Sequence, residues 1–211
     1  SAAGDSATTT NNLCLMGHGA GGAINSTDAN GTTSFGTYSL GNLTEGRYNT
    51  AVGYAALNDC VNSDRNTAVG YHTLAVVVGV DGNTDNTAVG AKVGEAITTG
   101  LRNTGLGSLA IDDLTTGSDN VALGYATLHA ADTNESRNVA IGSNALANLN
   151  VDNGGADSNG RLYNIAIGYD AGNDVTTGYH NILVGGFAGD KSTTGVNNTV
   201  VGYTAFGAAV A

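Results

Sequence analysis

The sequence lacks several residues that most globular domains use. Its 211 residues include no Pro and no Trp, only three Phe and one Met, although hydrophobic residues make up 41%. Ala, Val and Leu therefore supply most of the apolar surface, and small side chains fill a thin, regular interior better than a bulky one. The 33 Gly show no three-residue period and come without Pro, which excludes a collagen helix.

Positive charge is also scarce. Seven Lys and Arg stand against 18 Asp and Glu, which gives a net charge of −11. Such a chain repels the phosphates of nucleic acids and anionic membrane surfaces. No stretch approaches the roughly 18 apolar residues that a membrane-spanning helix needs. The sequence therefore predicts neither a nucleic-acid partner nor membrane insertion.

One short motif recurs along the chain. The letters NTAVG stand at 49–53, 66–70 and 86–90, and related motifs, each closed by Gly, continue almost to the end. The closing glycines are Gly17, Gly36, Gly53, Gly70, Gly90, Gly107, Gly124, Gly142, Gly168, Gly185 and Gly202. Most of them recur at the spacing of Gly36 and Gly53, and longer intervals, above all the one from Gly142 to Gly168, indicate insertions. A fixed period of this size is typical of a solenoid in which each unit forms one coil.

The residues inside the motif predict a β-strand. The three positions before the closing Gly are β-branched, small and large apolar, as in Thr50, Ala51 and Val52. This alternation favours a strand over a helix. Asn precedes the three positions in nine of eleven copies, and stacked Asn amides can form a ladder.

The residues after the closing Gly predict a second short strand and a turn. An Ala, Ser or Thr is followed there by Leu, Ile, Phe or Gly, as in the sequence YAAL at 54–57. The coil then turns through TTG or a relative, for example at 176–178, where we expect Gly to supply a positive φ.

These patterns predict an all-β fold, a parallel β-solenoid (β-roll) of about eleven 17-residue coils with equivalent strands in register. We expect an N-terminal extension over residues 1–12 and a single solenoid domain over 13–211. The longer intervals predict insertion loops near 75–85 and 147–163. Cys14 and Cys60 fall at different phases of the repeat and fit no zinc spacing, so we expect two free, partly buried thiols.

The side-chain ranks that run along such a stack predict contacts between chains. We expect Val52, Val69 and Leu106 to share one interior stack. A buried apolar side chain contributes about 1.5 to 3 kcal/mol, whereas ordering each residue costs about 1 to 2 kcal/mol, so a slim coil is poorly stabilised alone. We therefore expect chains to pack side by side through the outer β-branched rank and a rank of tyrosines. These tyrosines are Tyr54, Tyr71, Tyr125, Tyr169 and Tyr203.

The motifs resemble a known repeat. NVAIG at 138–142, NIAIG at 164–168 and the three copies of NTAVG are similar to the head repeat of trimeric autotransporter adhesins, which also occurs in phage tail fibres and other virion fibres. The resemblance covers residues 13 to about 206. It implies a left-handed parallel β-roll, three chains around one axis and a role in binding surfaces.

One insertion carries a pattern that resembles a cation site. Asp81, Asn83 and Asp85 alternate along the chain, a spacing of oxygen ligands similar to the start of a calcium loop. The same residues form turns, and a polar insertion loop without an ion is the interpretation that we favour. The polar stretch at 150–160 leaves the same two alternatives open. No other cofactor is predicted.

No catalytic arrangement is evident in the sequence. The four histidines fall at four different phases of the repeat, and neither a Ser-His-Asp triad nor a paired-carboxylate cleft is apparent. The rank that contains Thr50 and Thr67 could be read as an ice-binding face, and the tyrosines could stack sugars. Structural threonines and packing between chains are the interpretations that we favour.

The sequence therefore leads to two main hypotheses. The first is a non-enzymatic extracellular fibre segment, the shaft or head of a phage fibre or bacterial surface adhesin. It would form a rigid homotrimeric rod and present loops to a host-surface glycan or protein receptor. The second is an extracellular filament subunit that polymerises end to end, because the last coil, 198–206, retains the full motif and open solenoid ends invite strand pairing. A carbohydrate- or ice-binding module is a third alternative.

Overall fold

A computed structural model describes residue 3 and residues 12–24, 29–78, 82–131, 134–151 and 162–207. These residues contain eleven β-strands of three residues each and no helix. It follows that no described helix is long and apolar enough to cross a membrane. The chain divides into two compact units, residues 1–103 and 104–211.

The first unit contains five strands that pair in parallel and in chain order. They are β1 (Cys14–Met16), β2 (Thr33–Phe35), β3 (Thr50–Val52), β4 (Thr67–Val69) and β5 (Thr87–Val89). Each strand is in register with the equivalent strand of the next coil, so that Ala51 pairs with Ala68 and Val52 with Val69. The longer interval between the closing glycines of β4 and β5 leaves the register of these two strands unchanged.

The second unit contains six strands with the same arrangement. They are β6 (Thr104–Leu106), β7 (Val121–Leu123), β8 (Val139–Ile141), β9 (Ile165–Ile167), β10 (Ile182–Val184) and β11 (Thr199–Val201). Both units are parallel β-solenoids whose coils stack at the period of the sequence repeat, which confirms the predicted fold class. The left-handed coil, the trimer, the N-terminal extension and the bounds of the insertion loops stay predictions.

The segment after each closing Gly is not a second strand, contrary to the prediction. In the coil of β2 it is a chain of overlapping turns, in which Ser39 N donates to Gly36 O over 3.4 Å and Gly41 N donates to Tyr38 O over 3.3 Å. The third residue of each turn, Tyr38 or Leu40, has a positive φ of 57° or 49°, whereas a strand needs negative φ throughout. Alternate amides pair with the neighbouring coil, as Leu40 N does with Ala56 O over 3.0 Å.

The core of most coils is built from small residues on the strand and large ones on the turns. In the coil of β3, Ala51, Leu57 and Cys60 are all fully buried. Leu57 adopts a positive φ of 50°, which costs a non-Gly residue about 1 to 2 kcal/mol, and complete burial of its side chain offsets that cost with about 1.5 to 3 kcal/mol.

The predicted interior stack of Val52, Val69 and Leu106 is wrong. Successive side chains of a strand point to opposite faces, so Ala51 points into the coil and its neighbour Val52 points out. Val52 and Val69 do stack in register, but on the outside, where both are partly exposed. Leu106 of the second unit is 47% exposed. The interior position beside most strands holds a small residue such as Ala51, whereas in β10 it holds the buried Leu183.

The glycines of the repeat serve two different purposes. The closing glycines have φ between 118° and 147°, a region that L-residues avoid. The sequence predicts a positive φ for the Gly of the TTG turn as well, but Gly178 does not have one. A Cβ on Gly178 would instead lie 2.5 Å from the carbonyl oxygen of Gly195 in the next coil. Close approach of two coils, rather than turn conformation, therefore requires this glycine.

The predicted Asn ladder is present in both units. In the second unit, Asn164 Oδ1 accepts a hydrogen bond from Asn181 N over 3.0 Å, and Asn164 Nδ2 donates to Gly178 O over 2.8 Å. In the first unit, Asn49 Oδ1 accepts from Asn66 N over 2.9 Å. Each buried Asn thus satisfies backbone groups of the next coil that water cannot reach.

Candidate functional site

The strongest candidate for a functional surface is the outward face of the strands. The first and third residues of every strand point out, and we call them the outer face. Several of them are large, apolar and exposed: Met16 60%, Phe35 51%, Leu106 47%, Ile167 38%, Ile182 40% and Val201 68%. Contiguous exposed apolar surface of this kind marks an interaction site on a soluble protein.

The outer face is more apolar in the second unit than in the first. In β3 to β5 the first strand residue is Thr, whereas in β7 to β10 both outward residues are aliphatic. On these strands each aliphatic side chain lies beside another aliphatic side chain one coil away, for example Val139 beside Ile165 and Ile141 beside Ile167. Four successive strands therefore present a continuous aliphatic surface with little capacity for hydrogen bonding.

The tyrosine rank lies directly after the closing glycines and is exposed. Tyr54 and Tyr71 stack with ring centroids 5.7 Å apart and an interplanar angle of 16°. In the second unit, Phe187 makes edge contacts with Tyr169 at 5.3 Å and with Tyr203 at 5.9 Å. Exposed rings in this arrangement suit either saccharides or a neighbouring chain, and both predictions remain open.

The predicted calcium residues are only partly described. Asp81 lies outside the described residues, and Asn83 forms an isolated parallel bridge with Asp64. Asp85 accepts two hydrogen bonds from Arg65, over 2.6 Å from Nε and 2.9 Å from Nη2. This guanidinium holds the pKa of Asp85 below its usual value. A calcium ion would compete with Arg65 for the carboxylate, and the calcium site stays a prediction.

A different group of titratable side chains lies in the second unit. Asp112, Asp113 and His129 each offer one potential metal-ligand atom, and these atoms all lie within 4.8 Å of one another. His129 Nδ1 is 2.5 Å from Asp112 Oδ1. Burial raises the pKa of the Asp112 carboxyl above its usual value, against the opposing effect of its hydrogen bond with His129.

Sequence reasoning missed this group, although the signal was there. Asp112 and His129 are separated by one repeat period and therefore occupy the same position of successive coils. The four histidines occupy four different positions of the repeat, but His129 occupies the same position as the acidic residue Asp112. A search for ligand-forming side chains at one repeat spacing would have found the pair.

The two cysteines are free, as predicted, but their exposure differs. Cys14 is exposed and belongs to the outer face of β1, whereas Cys60 is buried in the core. Burial raises the pKa of the Cys60 thiol to about 11. The expectation of two partly buried thiols is therefore wrong for both, in opposite directions.

This difference gives a measurable contrast in reactivity, because the thiolate is the reactive form. We expect a maleimide or Ellman's reagent at neutral pH to modify Cys14 in the folded protein and to modify Cys60 only after denaturation. Cys60→Ala, as the control, should leave the reaction of the folded protein unchanged. Modification of both thiols at similar rates in the folded state would contradict the buried position of Cys60.

Comparison of the chain with protein families, curated proteins and solved structures found no match.

Proposed function

We propose that the protein is a non-enzymatic structural segment of an extracellular fibre and that three copies pack through the outer faces of their second units. The outer face of the second unit carries this proposal. Its aliphatic residues are partly or largely exposed in a single chain, and burying them between copies would recover about 25 cal/mol per Å² of apolar surface. A closed cyclic arrangement covers such a face on every copy.

The resemblance of the sequence motifs to the head repeat of trimeric fibres supports an assembly of three chains. The side chains that would meet between copies are branched aliphatic residues in register, which pack without polar groups to satisfy. In the proposed fibre, the coils supply a stiff support, and loops and exposed rings contact a host-surface glycan or protein.

A pair of lysine substitutions tests the face. Ile167 lies on the outer face and is 38% exposed, while Val196 lies off the strands and is 39% exposed. We expect Ile167→Lys to dissociate the trimer, since three unpaired ammonium groups would be buried together. Val196→Lys should leave the trimer intact, because Val196 does not lie on the outer face. It is a matched control, since Val196 and Ile167 are exposed to a similar extent.

Light scattering during size-exclusion chromatography measures the outcome, and circular dichroism verifies that both variants are folded. A folded Ile167→Lys variant that keeps the mass of the unmodified protein would contradict the proposed interface. Loss of the assembly in both variants would also contradict it, because the effect would not depend on the face.

A further inference from the structure

We propose that Asp112, Asp113 and His129 form a binding site for a divalent transition-metal ion of the zinc class, which links two successive coils of the second unit. This site is independent of the proposed fibre function. It rests on the chemistry of three side chains and on the way in which the repeat brings them together.

The coil geometry places the ligands together. Asp112 and Asp113 are the two central residues of a turn in which Leu114 N donates to Ile111 O over 3.4 Å. Ile111 N donates to Thr127 O over 2.9 Å, and this bond holds the turn against the next coil close to His129. The two carboxylates therefore come from one coil and the imidazole from its neighbour.

The distances fit a metal with modest adjustment. The three ligand atoms lie within 4.8 Å of one another, and in a tetrahedral zinc site with bonds of about 2.0 to 2.1 Å the ligand atoms are roughly 3.4 Å apart. The exposed Asp113 side chain would rotate inward, and the bound ion would replace the hydrogen bond between His129 Nδ1 and Asp112 Oδ1, which are 2.5 Å apart and would move slightly away from each other. The Asp112 side chain is only 11% exposed, so one ligand is already fixed in position.

The donor set indicates which cations would bind. One imidazole nitrogen and two carboxylates suit zinc and its first-row neighbours, whereas calcium and magnesium prefer six or more oxygen ligands. Three protein ligands leave a fourth position for water. Without a cation, two carboxylates stand beside one imidazole, so a bound divalent ion would also balance the local charge.

The first unit offers a matched control. His72 Nδ1 lies 3.4 Å from Glu95 Oε1, which resembles the pairing of His129 with Asp112. A second carboxylate does not complete that pair, since Asp112, Asp113 and His129 are the only such group of three among the described residues. In addition, Lys92 Nζ is 2.9 Å from Glu95 Oε2, and its positive charge opposes a bound cation.

Titration calorimetry of the purified chain with Zn²⁺ tests the site. We expect one equivalent to bind with micromolar affinity, and His129→Asn and Asp113→Asn each to weaken binding by at least about ten-fold. His72→Asn should leave the affinity unchanged, and Ca²⁺ and Mg²⁺ should bind much more weakly. Zn²⁺ should raise the melting temperature of the unmodified protein and of His72→Asn, but not of His129→Asn.

Three results would overturn the inference. They are the absence of stoichiometric Zn²⁺ binding, equal binding by the unmodified protein and the His129→Asn and Asp113→Asn variants, and loss of binding in His72→Asn. Circular dichroism of each variant establishes that a change in affinity does not come from unfolding.

Discussion

Gly168→Ala is expected to destabilise the second unit by about 2 to 6 kcal/mol, the sum of a conformational and a steric effect. Gly168 has a φ of 141°, a region essentially restricted to glycine, and strain there costs about 1 to 3 kcal/mol. The added Cβ would also overlap the carbonyl of Gly185 in the next coil, and forcing such an overlap costs roughly a further 1 to 3 kcal/mol. Because the backbone strain and the steric overlap have separate causes, their free-energy costs add.

Gly186→Ala provides the control for this prediction. The residue does not have a positive φ, and a Cβ there would meet Tyr203 Cδ2 at 3.4 Å, an ordinary contact. We expect a change of less than about 1 kcal/mol. Urea unfolding followed by circular dichroism measures both variants. Similar midpoints for the two would show that the closing glycines are not required by the stacking of coils.

Asn164→Ala is expected to cost about 2 to 6 kcal/mol, an effect of similar size. Asn164 is fully buried, and its amide serves Asn181 N and Gly178 O in the next coil. Alanine leaves both backbone groups buried without a partner, and each unsatisfied group costs about 1 to 3 kcal/mol.

Asn198→Ala is the matched control, because it removes an Asn of the same rank near the end of the described strands. Asn198 is half-buried, and its Nδ2 donates to Asn181 Oδ1 over 2.9 Å. Its replacement should cost about 1 kcal/mol or less, the net value of one hydrogen bond. If urea unfolding showed equal losses for both variants, the ladder would not explain the recurrence of Asn.

The features of this fold that could be predicted are those carried by residues of the same type in nearly every repeat. Asn49 and its equivalents, the strand at Thr50–Val52 and the closing Gly53 recur with little change, and side chains that serve the next coil must recur at the period of the coil. The strands, their register and the Asn ladder could therefore be read from spacing alone.

The turn segment could not be read in the same way. Leu40 and Leu57 adopt positive φ, which local propensity assigns to Gly or Asn. Their conformation is imposed by the burial of a large side chain opposite a small one such as Ala51. This compensation depends on the three-dimensional coil, and a local pattern of Ala followed by Leu favours a strand instead.

The candidate surfaces were partly predictable for the same reasons. The tyrosines and the β-branched residues lie on the outside as expected, whereas the contact between chains through them stays a prediction. The expectation of an interior Val52 follows from the usual burial of large apolar residues. The alternation of side chains along a strand is sufficient to place Val52 on the outside, because Val52 shares a face with Thr50 of the outer β-branched rank. Asp112 and His129 require the further step of comparing different residue types at the same phase.

Sedimentation equilibrium of the unmodified protein tests the central claim most directly. The proposed assembly predicts a single species with three times the mass of the 20.9 kDa chain, unchanged over a wide range of concentration. A monomer at all concentrations would contradict the account, because the outer face would then be stable in water. A mass that grows continuously with concentration would also contradict it and would favour end-to-end polymerisation.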